Sequence, residues 1–377
     1  MPTSSRPPRS IRLVIVAASL RILGGQAVQA NLLVDGWAND PDVEARLVPI
    51  NPVPPPPLDR LLRVKFVRTL ITQLFYWPLL WRELRTADVV HVFSASYASF
   101  LLAPLPAIVV SRLLGKPVVL NYHSGEAHDH LSRSRVARFV LRRMVDVVVV
   151  PSAYLREVFA AFDLVAHVVA NSIDLDRFPY RRRTALRPRC LSTRNLEPMY
   201  NVACTLRAFS RIQSRYPDAS LTVVGSGSQE NELRAMAERL GLRGVCFAGR
   251  VPPTDIPQYY DDADVYLQTS SIDNMPLSVL EAFACGVPVV STRVGGVPTI
   301  LSDGVHGLLV PADDDAAIAD RACRLLEEPA LAARLADAAR ESCESYRWIV
   351  VRAGWLAVYR SALAPTGRAT PEPAEAA

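Results

Sequence analysis

At 377 residues, half of them hydrophobic, the chain is long enough for two buried cores. A net charge of +5 and a pI near 9.0 are only modestly basic. No basic run is interleaved with aromatics on a recognisable module, so no nucleic-acid partner is expected. The six cysteines, Cys190, Cys204, Cys246, Cys285, Cys323 and Cys343, show no Cys-x-x-Cys spacing, which argues against a zinc site or a disulfide framework and for a reducing cytoplasm.

Residues 1–10 are polar and Pro/Arg-rich, lack the apolar run of a signal peptide and are expected to be a disordered tail. The Ile11–Ala18 run predicts a buried strand that leads through Gly24-Gly25 into a helix from Gln26 to about Val34. Further strands are predicted at 46–50, 87–93, 117–122, 145–150 and 166–170, and their weak polar alternation fits helices on both faces. The uncharged stretch from Val89 to Val110 contains His91, several serines, Pro104 and Pro106, and reads as a strand and a broken helix, not a membrane span. Residues 11–180 thus form a first doubly wound α/β domain. A basic linker, 181–189, lies in a run from Arg177 to Arg189 with six arginines and no acid. A second domain, 190–345, restarts the pattern with strands at 190–192, 220–224, 245–247 and 265–268 and helices at 202–216 and 231–240. Strands at 287–292 and 307–311 follow, then Ala-rich helices. A last helix, 346–363, carries Trp348 and Trp355, and 364–377 is expected to be a disordered tail. The expected class is α/β: two Rossmann-like domains facing across a cleft.

The most informative stretch is Ser270–Val290. Asn274 is an N-cap type, Pro276 suits a first helical turn, and Gly286 with Pro288 stops the helix. Asp273 sits at the helix mouth and Glu281 about two turns on. Two carboxylates beside the N–H groups of Asn274, Met275, Leu277 and Ser278 suit a hydroxyl-rich ligand. Gly24-Gly25 reads either as a plain strand-to-helix turn or as a place where a ligand approaches backbone N–H groups. Gly225-Ser226-Gly227 invites a nucleotide-cofactor reading, but the third glycine of that fingerprint falls at Glu230, which excludes a dehydrogenase. His123, His128 and His130 have no helical metal-ligand spacing, so no metal is expected. His123, directly after a strand, is a candidate partner for a substrate hydroxyl. Arg194, also after a strand, is either a surface residue or a phosphate clamp. Two basic amphipathic stretches, Arg60–Arg85 and Arg133–Arg143, read as solvated helix faces or as docking surfaces for anionic lipid.

Together these residues resemble the retaining glycosyltransferases of family 4, which have the GT-B fold. The likeness covers nearly the whole chain. Asp273 and Glu281 stand in the two places of that family's Glu-x7-Glu region, followed by Ala284-Cys285-Gly286-Val287-Pro288-Val289-Val290. Gly295-Gly296, the run His306–Val310, and the inter-domain segment Asn171–Phe178 match as well, as do Gly24-Gly25 and His123 in the first domain. The resemblance implies transfer of a sugar, with retention and without a metal, from a nucleoside diphosphate sugar to a glycan or lipid-linked acceptor. This would take place in cell-surface polysaccharide or glycolipid synthesis at the cytoplasmic membrane face. The last helix would return to the first domain. Glu281 would hold the ribose, Asp273 and the N–H groups after it the sugar, His123 the sugar near the reaction centre, and Arg194 the diphosphate. Gly24, Gly25 and Gly225, and the run Asn274, Met275, Pro276, Leu277 and Ser278, would complete the donor site. Tyr200-Asn201 stands where the family usually has Lys, Asp273 replaces Glu, and Thr299 replaces another Glu. A catalytically weak binding protein, or a nucleotide-sugar epimerase of the same fold, is the alternative reading.

Overall fold

The computed structural model describes residues 10–21, 24–56, 64–94 and 96–364. The two tails expected to be disordered lie outside these residues except for Ser10 and Ala364. The first sheet comprises β1 (Ile11–Ala17), β2 (Val43–Pro49), β3 (Val89–Ser94), β4 (Val118–Tyr122), β5 (Val147–Val150) and β6 (His167–Val168), in the order β2-β1-β3-β4-β5-β6. The second comprises β7 (Arg189–Ser192), β8 (Ser220–Val224), β9 (Val245–Gly249), β10 (Val265–Gln268), β11 (Val289–Thr292) and β12 (Leu308–Val310), in the order β12-β11-β10-β7-β8-β9. All pairings are parallel. The connections therefore cross over, and helices cover both faces. Those on the first half are α1 (Gly25–Gly36), α2 (Lys65–Leu84), α3 (Tyr97–Leu102), α4 (Pro104–Leu113), α5 (Ala127–Arg133), α6 (Arg135–Arg143) and α7 (Ala153–Ala160). The second half carries α8 (Val202–Arg215), α9 (Glu230–Arg239), α10 (Ile256–Asp262), α11 (Leu277–Ala284), α12 (Asp315–Glu327), α13 (Pro329–Ser342) and α14 (Trp348–Leu363).

Strand order fixes where a ligand can sit. In the first sheet the direction of winding reverses between β1 and β3, and in the second between β7 and β10. Open α/β sheets bind ligands at the carboxyl ends of strands at such switch points. The predicted site residues lie there: Gly24-Gly25 after β1, His123 after β4, Arg194 after β7 and Asp273 after β10.

The expected strand at 46–50 begins earlier, at Val43. β2 is an edge strand with exposed alternate residues, so its apolar signal is shorter than its paired length. The uncharged run 89–110 is β3, α3 and the start of α4, and among the described residues no helix is long and apolar enough to cross a membrane.

The last helix returns to the first sheet. Trp355 and Tyr359 of α14 are buried with Leu13, Val119 and Val149. Arg352 reaches Asp40 and Asp42, both at 2.6 Å, Trp348 meets Trp37 edge-on at 4.7 Å, and the Tyr359 hydroxyl lies 2.9 Å from His91 Nδ1.

The basic run at 181–189 is not a solvated polycation. Arg183 is buried: its Nε donates to Ala263 O at 2.9 Å, its Nη1 to Cys285 O at 2.7 Å and its Nη2 to Tyr260 O at 2.8 Å. Arg181, Arg183 and Arg187 all converge on the buried carboxylate of Asp264. Arg183 thus places a cation on the last carbonyl beyond α11, where it complements the helix dipole. Arg183→Met removes the strongest donor from three buried carbonyls, leaving Tyr260 O with none, at about 1–3 kcal/mol for an unsatisfied group, and takes one cation from buried Asp264, so it should lower the urea midpoint sharply. Arg187→Met, at a half-exposed side chain, should cost less than about 1 kcal/mol in the same titration.

Candidate functional site

A cleft of about 970 Å³ separates the carboxyl edges of the two sheets. Gly24, Gly25 and His123 line it from the first half; Arg194, Gly225, Asp273, the run Asn274–Ser278 and Glu281 line it from the second. All the predicted site residues are therefore brought to one cavity.

The loop before α11 is held by close backbone contacts. A Cβ on Gly295, whose φ is +49°, would lie 2.1 Å from Asp273 O, and one on Gly296 would lie 2.4 Å from Asn274 O. Only glycine lets the two loops touch, and Gly296 N donates to Asp273 O at 3.2 Å. Asn274 is not the N-cap. α11 starts at Leu277 with Pro276 in the cap position, extended at φ −67° and ψ 118°, and no side chain caps the helix. Asn274 instead turns toward the first half, where its Oδ1 is hydrogen-bonded by Ser152 Oγ. Asn171 Nδ2 donates to Met275 O at 3.0 Å from the same side. The helix N-terminus is therefore left facing the cleft, while Gly286, at φ +68°, ends the helix as expected.

Arg194 and Asp273, read from sequence as binders of different parts of a ligand, are paired with each other. Arg194 Nη2 lies 2.5 Å from Asp273 Oδ2, and Nη1 donates to Ser278 Oγ at 3.1 Å. The guanidinium carbon sits 4.2 Å from the centroid of the Tyr200 ring, a cation–π contact. Burial acts to lower the Arg194 pKa, but Asp273 and the nearby phenols outweigh it, and the net shift is upward. Glu281 accepts from the Tyr260 hydroxyl at 2.8 Å. Burial raises the Glu281 pKa, held back by that hydrogen bond and by Arg177 and Arg194.

His123 stacks on Phe93 at 5.1 Å, and Phe93 stacks on His91 at 5.0 Å. Burial lowers His123 to about 4 and His91 to about 3, His91 being lowered further by His123, so both rings are neutral at physiological pH. The histidine run does not converge. His130 is buried against the Tyr122 hydroxyl at 2.8 Å, and His128 lies on Phe162. Among the described residues no group of three His, Cys, Asp or Glu side chains could hold a metal.

Gly24 and Gly25 have open space where a Cβ would be, at the uncapped start of α1. Gly225 acts differently: at φ +142° it packs on the Arg194 backbone, where a Cβ would lie 2.2 Å from Arg194 O. Sequence reasoning missed Tyr260, Gln268 and Ser152, which sit in elements without a motif. It passed over Tyr200 as a lost lysine. The spacing of Tyr200 from Arg194 was the available signal.

Residues 20–177 match the family model "Glycosyltransferase Family 4" and residues 181–342 match "Glycosyl transferases group 1". A GDP-mannose-dependent alpha-(1-6)-phosphatidylinositol monomannoside mannosyltransferase of Mycolicibacterium smegmatis is 32% identical over 281 residues, covering 68% of this chain and 72% of the relative. A D-inositol 3-phosphate glycosyltransferase of Acidothermus cellulolyticus is 38% identical over 179 residues, 45% of this chain and 40% of the relative. In fold, the chain resembles Anabaena HepE solved in complex with UDP-glucose, with a TM-score of 0.73 at 19% identity over 93% of this chain and 100% of that one. The fold and its cleft define a GT-B glycosyltransferase. The chain belongs to glycosyltransferase family 4.

The two neutral histidines, His91 buried and His123 partly buried at the cleft wall, make stability depend on pH. Their folded pKa values lie below the ordinary value near 6.5, so their contribution is full above that pH. It falls as pH drops from 6.5 toward 4, by about 1.4 kcal/mol per pH unit for each ring. Glu281, raised by burial, acts in the opposite sense at the acid end. Urea midpoints measured from pH 7 to pH 4 should fall in the wild type and fall less steeply in His123→Gln. Parallel curves would refute the assignment of His123 as a ring held neutral by its surroundings.

Proposed function

We propose that the chain is a retaining, metal-independent glycosyltransferase that moves a sugar from a nucleoside diphosphate donor to a glycan or lipid-linked acceptor. One observation carries this reading. His123 Nε2, Arg194 Nε and Asn274 Nδ2 are buried without a hydrogen-bond partner, and all three residues line the cleft. Buried polar groups are normally satisfied, so unpartnered groups on residues that line one cavity from both halves suit a polar ligand that draws them in on binding. Three oppositely charged or neutral donors also match such a ligand: Arg194 for the diphosphate, Asn274 for the sugar, and His123 for a sugar hydroxyl near the reacting carbon. Glu281, beside the Tyr260 hydroxyl, takes the ribose hydroxyls.

In this reading the diphosphate leaves toward Arg194 and the open N-terminus of α11, both preorganised to receive negative charge. The acceptor enters from the first half, on the side of Gly24-Gly25 and His123. For retention the entering acceptor hydroxyl must bond to the anomeric carbon on the same face that the diphosphate leaves, its proton passing to the departing phosphate oxygen, and no protein nucleophile is then needed. The first relative named above acts with GDP-mannose and HepE was solved with UDP-glucose, so a guanine and a uracil donor head the panel to be tried. Binding a ligand raises the melting temperature according to its affinity and concentration. One nucleoside diphosphate should stand out in such a screen, and its sugar ester should be turned over with membrane or glycan extracts. Glu281→Ala should abolish turnover. Full turnover by that variant would sink the site assignment, and binding without turnover of any donor would favour the weak-binder reading.

The acceptor we infer is presented at an anionic membrane face, and the structure redistributes the two basic stretches. Two of the four arginines of α6 are engaged locally: Arg138 Nη1 donates to the carbonyls of Leu131 and Ser132, and Arg142 donates to Phe162 O. α2 instead exposes Leu70, Leu74, Trp77 and Trp81 along one helical face, and Leu101 and Leu102 of α3 are exposed nearby. α3 also begins at the cleft wall, where Tyr97 and Ser99 line the cavity. Leu70→Glu with Leu74→Glu, both at exposed positions, should leave the melting temperature unchanged and reduce co-sedimentation with vesicles containing phosphatidylglycerol. Undiminished co-sedimentation would exclude α2 as the docking face.

A further inference from the structure

We propose that Asp273 is an internal stand-in for the donor's diphosphate on Arg194, and that Tyr200 is the positioning residue that keeps Arg194 in place while the two exchange. The inference rests on the donor-side reading above and deepens it.

Arg194 is enclosed on every side the structure describes. Nη1 is on Ser278 Oγ, Nη2 is on Asp273 Oδ2, the π-face of Tyr200 covers the guanidinium plane, and Nε has no partner. The side chains of Arg194 and Asp273 are each only 11% exposed. Water therefore cannot take over from Asp273 at little cost, and the group best able to displace it is another anion entering the cleft. The Tyr200 ring does not compete with that anion, because it lies against the guanidinium and not in the place that Asp273 occupies at Nη2.

Tyr200 is also tied to the loop that carries Asp273. The turn Pro198–Tyr200 accepts Ser271 N on Met199 O at 2.8 Å, and Thr269 Oγ1 donates to Asn201 O at 2.8 Å. Asn201 holds a left-handed conformation at φ +46° and donates to Asp313 Oδ1 at 3.0 Å. Tyr200, Arg194 and Asp273 therefore form one rigid set whose only free change is the partner of Arg194. No lysine occurs after Lys116, so no lysine of this half can share the phosphate charge.

The exchange has a directional consequence. A nucleotide sugar frees Asp273 from Arg194 and at the same time offers it sugar hydroxyls. A bare nucleoside diphosphate frees it and offers nothing. The donor is therefore held more tightly than the product that shares its diphosphate, and re-pairing of Asp273 with Arg194 expels that product.

The test uses the full chain and titration calorimetry with three probes: the nucleoside diphosphate that most stabilises the wild type, its sugar ester, and the matching nucleoside. In the wild type the sugar ester should bind more tightly than the diphosphate. Asp273→Asn should tighten the diphosphate roughly tenfold without tightening the sugar ester, reversing that order. Tyr200→Leu should weaken both phosphate-bearing probes on the order of fivefold, as expected for loss of one cation–π contact. It should leave the nucleoside unaffected, and Tyr200→Phe, which keeps the ring, should behave as wild type. Equal diphosphate affinity in wild type and Asp273→Asn would overturn the exchange, and equal affinities in Tyr200→Leu and Tyr200→Phe would overturn the positioning role. If no nucleoside diphosphate binds the wild type, the donor reading itself fails, and the two failures are thereby distinguished.

Discussion

The site depends on one close approach of backbone to backbone. The loop at 273–274 can face the cleft only because Gly295 and Gly296 admit its carbonyls to distances that any Cβ would forbid. With that loop fixed, Pro276 starts α11 without a side-chain cap, and the helix N-terminus stays available to a ligand. The opposite end of the same helix is closed by Gly286 and by Arg183, whose charge sits on Cys285 O. One end of α11 is thus fully satisfied and the other is not. That asymmetry leaves the unsatisfied N–H groups and the positive end of the helix dipole on the cleft side of a short helix.

Much of this was legible in the sequence, for identifiable reasons. Buried parallel strands are continuous Val/Leu/Ile runs, so β3, β4, β5 and β10 could be placed within a few residues. The edge strand β2 could not, because Glu44 and Arg46 in its first half are exposed and break the apolar run. Gly286 followed by Pro288 marked the helix stop correctly, since a positive φ and a missing N–H are local requirements. The helix start was misplaced because Asn274 has the chemistry of a cap but is recruited across the cleft by Ser152, more than a hundred residues away. Likewise Arg183 read as one more linker cation. Its burial depends on Asp264 and on three carbonyls at the ends of α10 and α11, and no local pattern encodes those.

The same long-range logic joins the two halves. Gln29 of α1 donates to Ser172 O at 2.7 Å and accepts from Ser172 N at 3.1 Å, a buried two-point contact on the segment that leads from one sheet to the other. Its neighbour Asn171 holds Met275 in the loop before α11. The start of α1 lines the cleft at Gly25, so one continuous chain of buried hydrogen bonds runs from the first-half wall through the crossing segment to the second-half wall. α14 adds a second tie, carrying the chain back from the second sheet to pack Trp355 and Tyr359 against the first. A relative rotation of the halves must therefore strain these ties together with the Ser152–Asn274 and Arg250–Arg21 hydrogen bonds that also cross between them.

Charge placement follows from the same geometry. Near Arg194 the structure sets one buried cation against two carboxylates, and each carboxylate has its own hydrogen-bond donor: Gln268 Nε2 reaches Asp273 at 3.4 Å and Tyr260 reaches Glu281 at 2.8 Å. Glu281 keeps its phenol partner and is raised by burial, so it presents an acceptor that needs hydroxyl donors more than it needs a cation. Asp273 has taken the cation itself. The two acids, eight positions apart in sequence, thereby differ in partner: Glu281 is held by a phenol and Asp273 by a guanidinium. The shorter side chain at 273 fits its pairing, because Asp273 also accepts the amide of Asn274 at 3.0 Å and so binds Arg194 from a carboxylate already anchored to its own backbone.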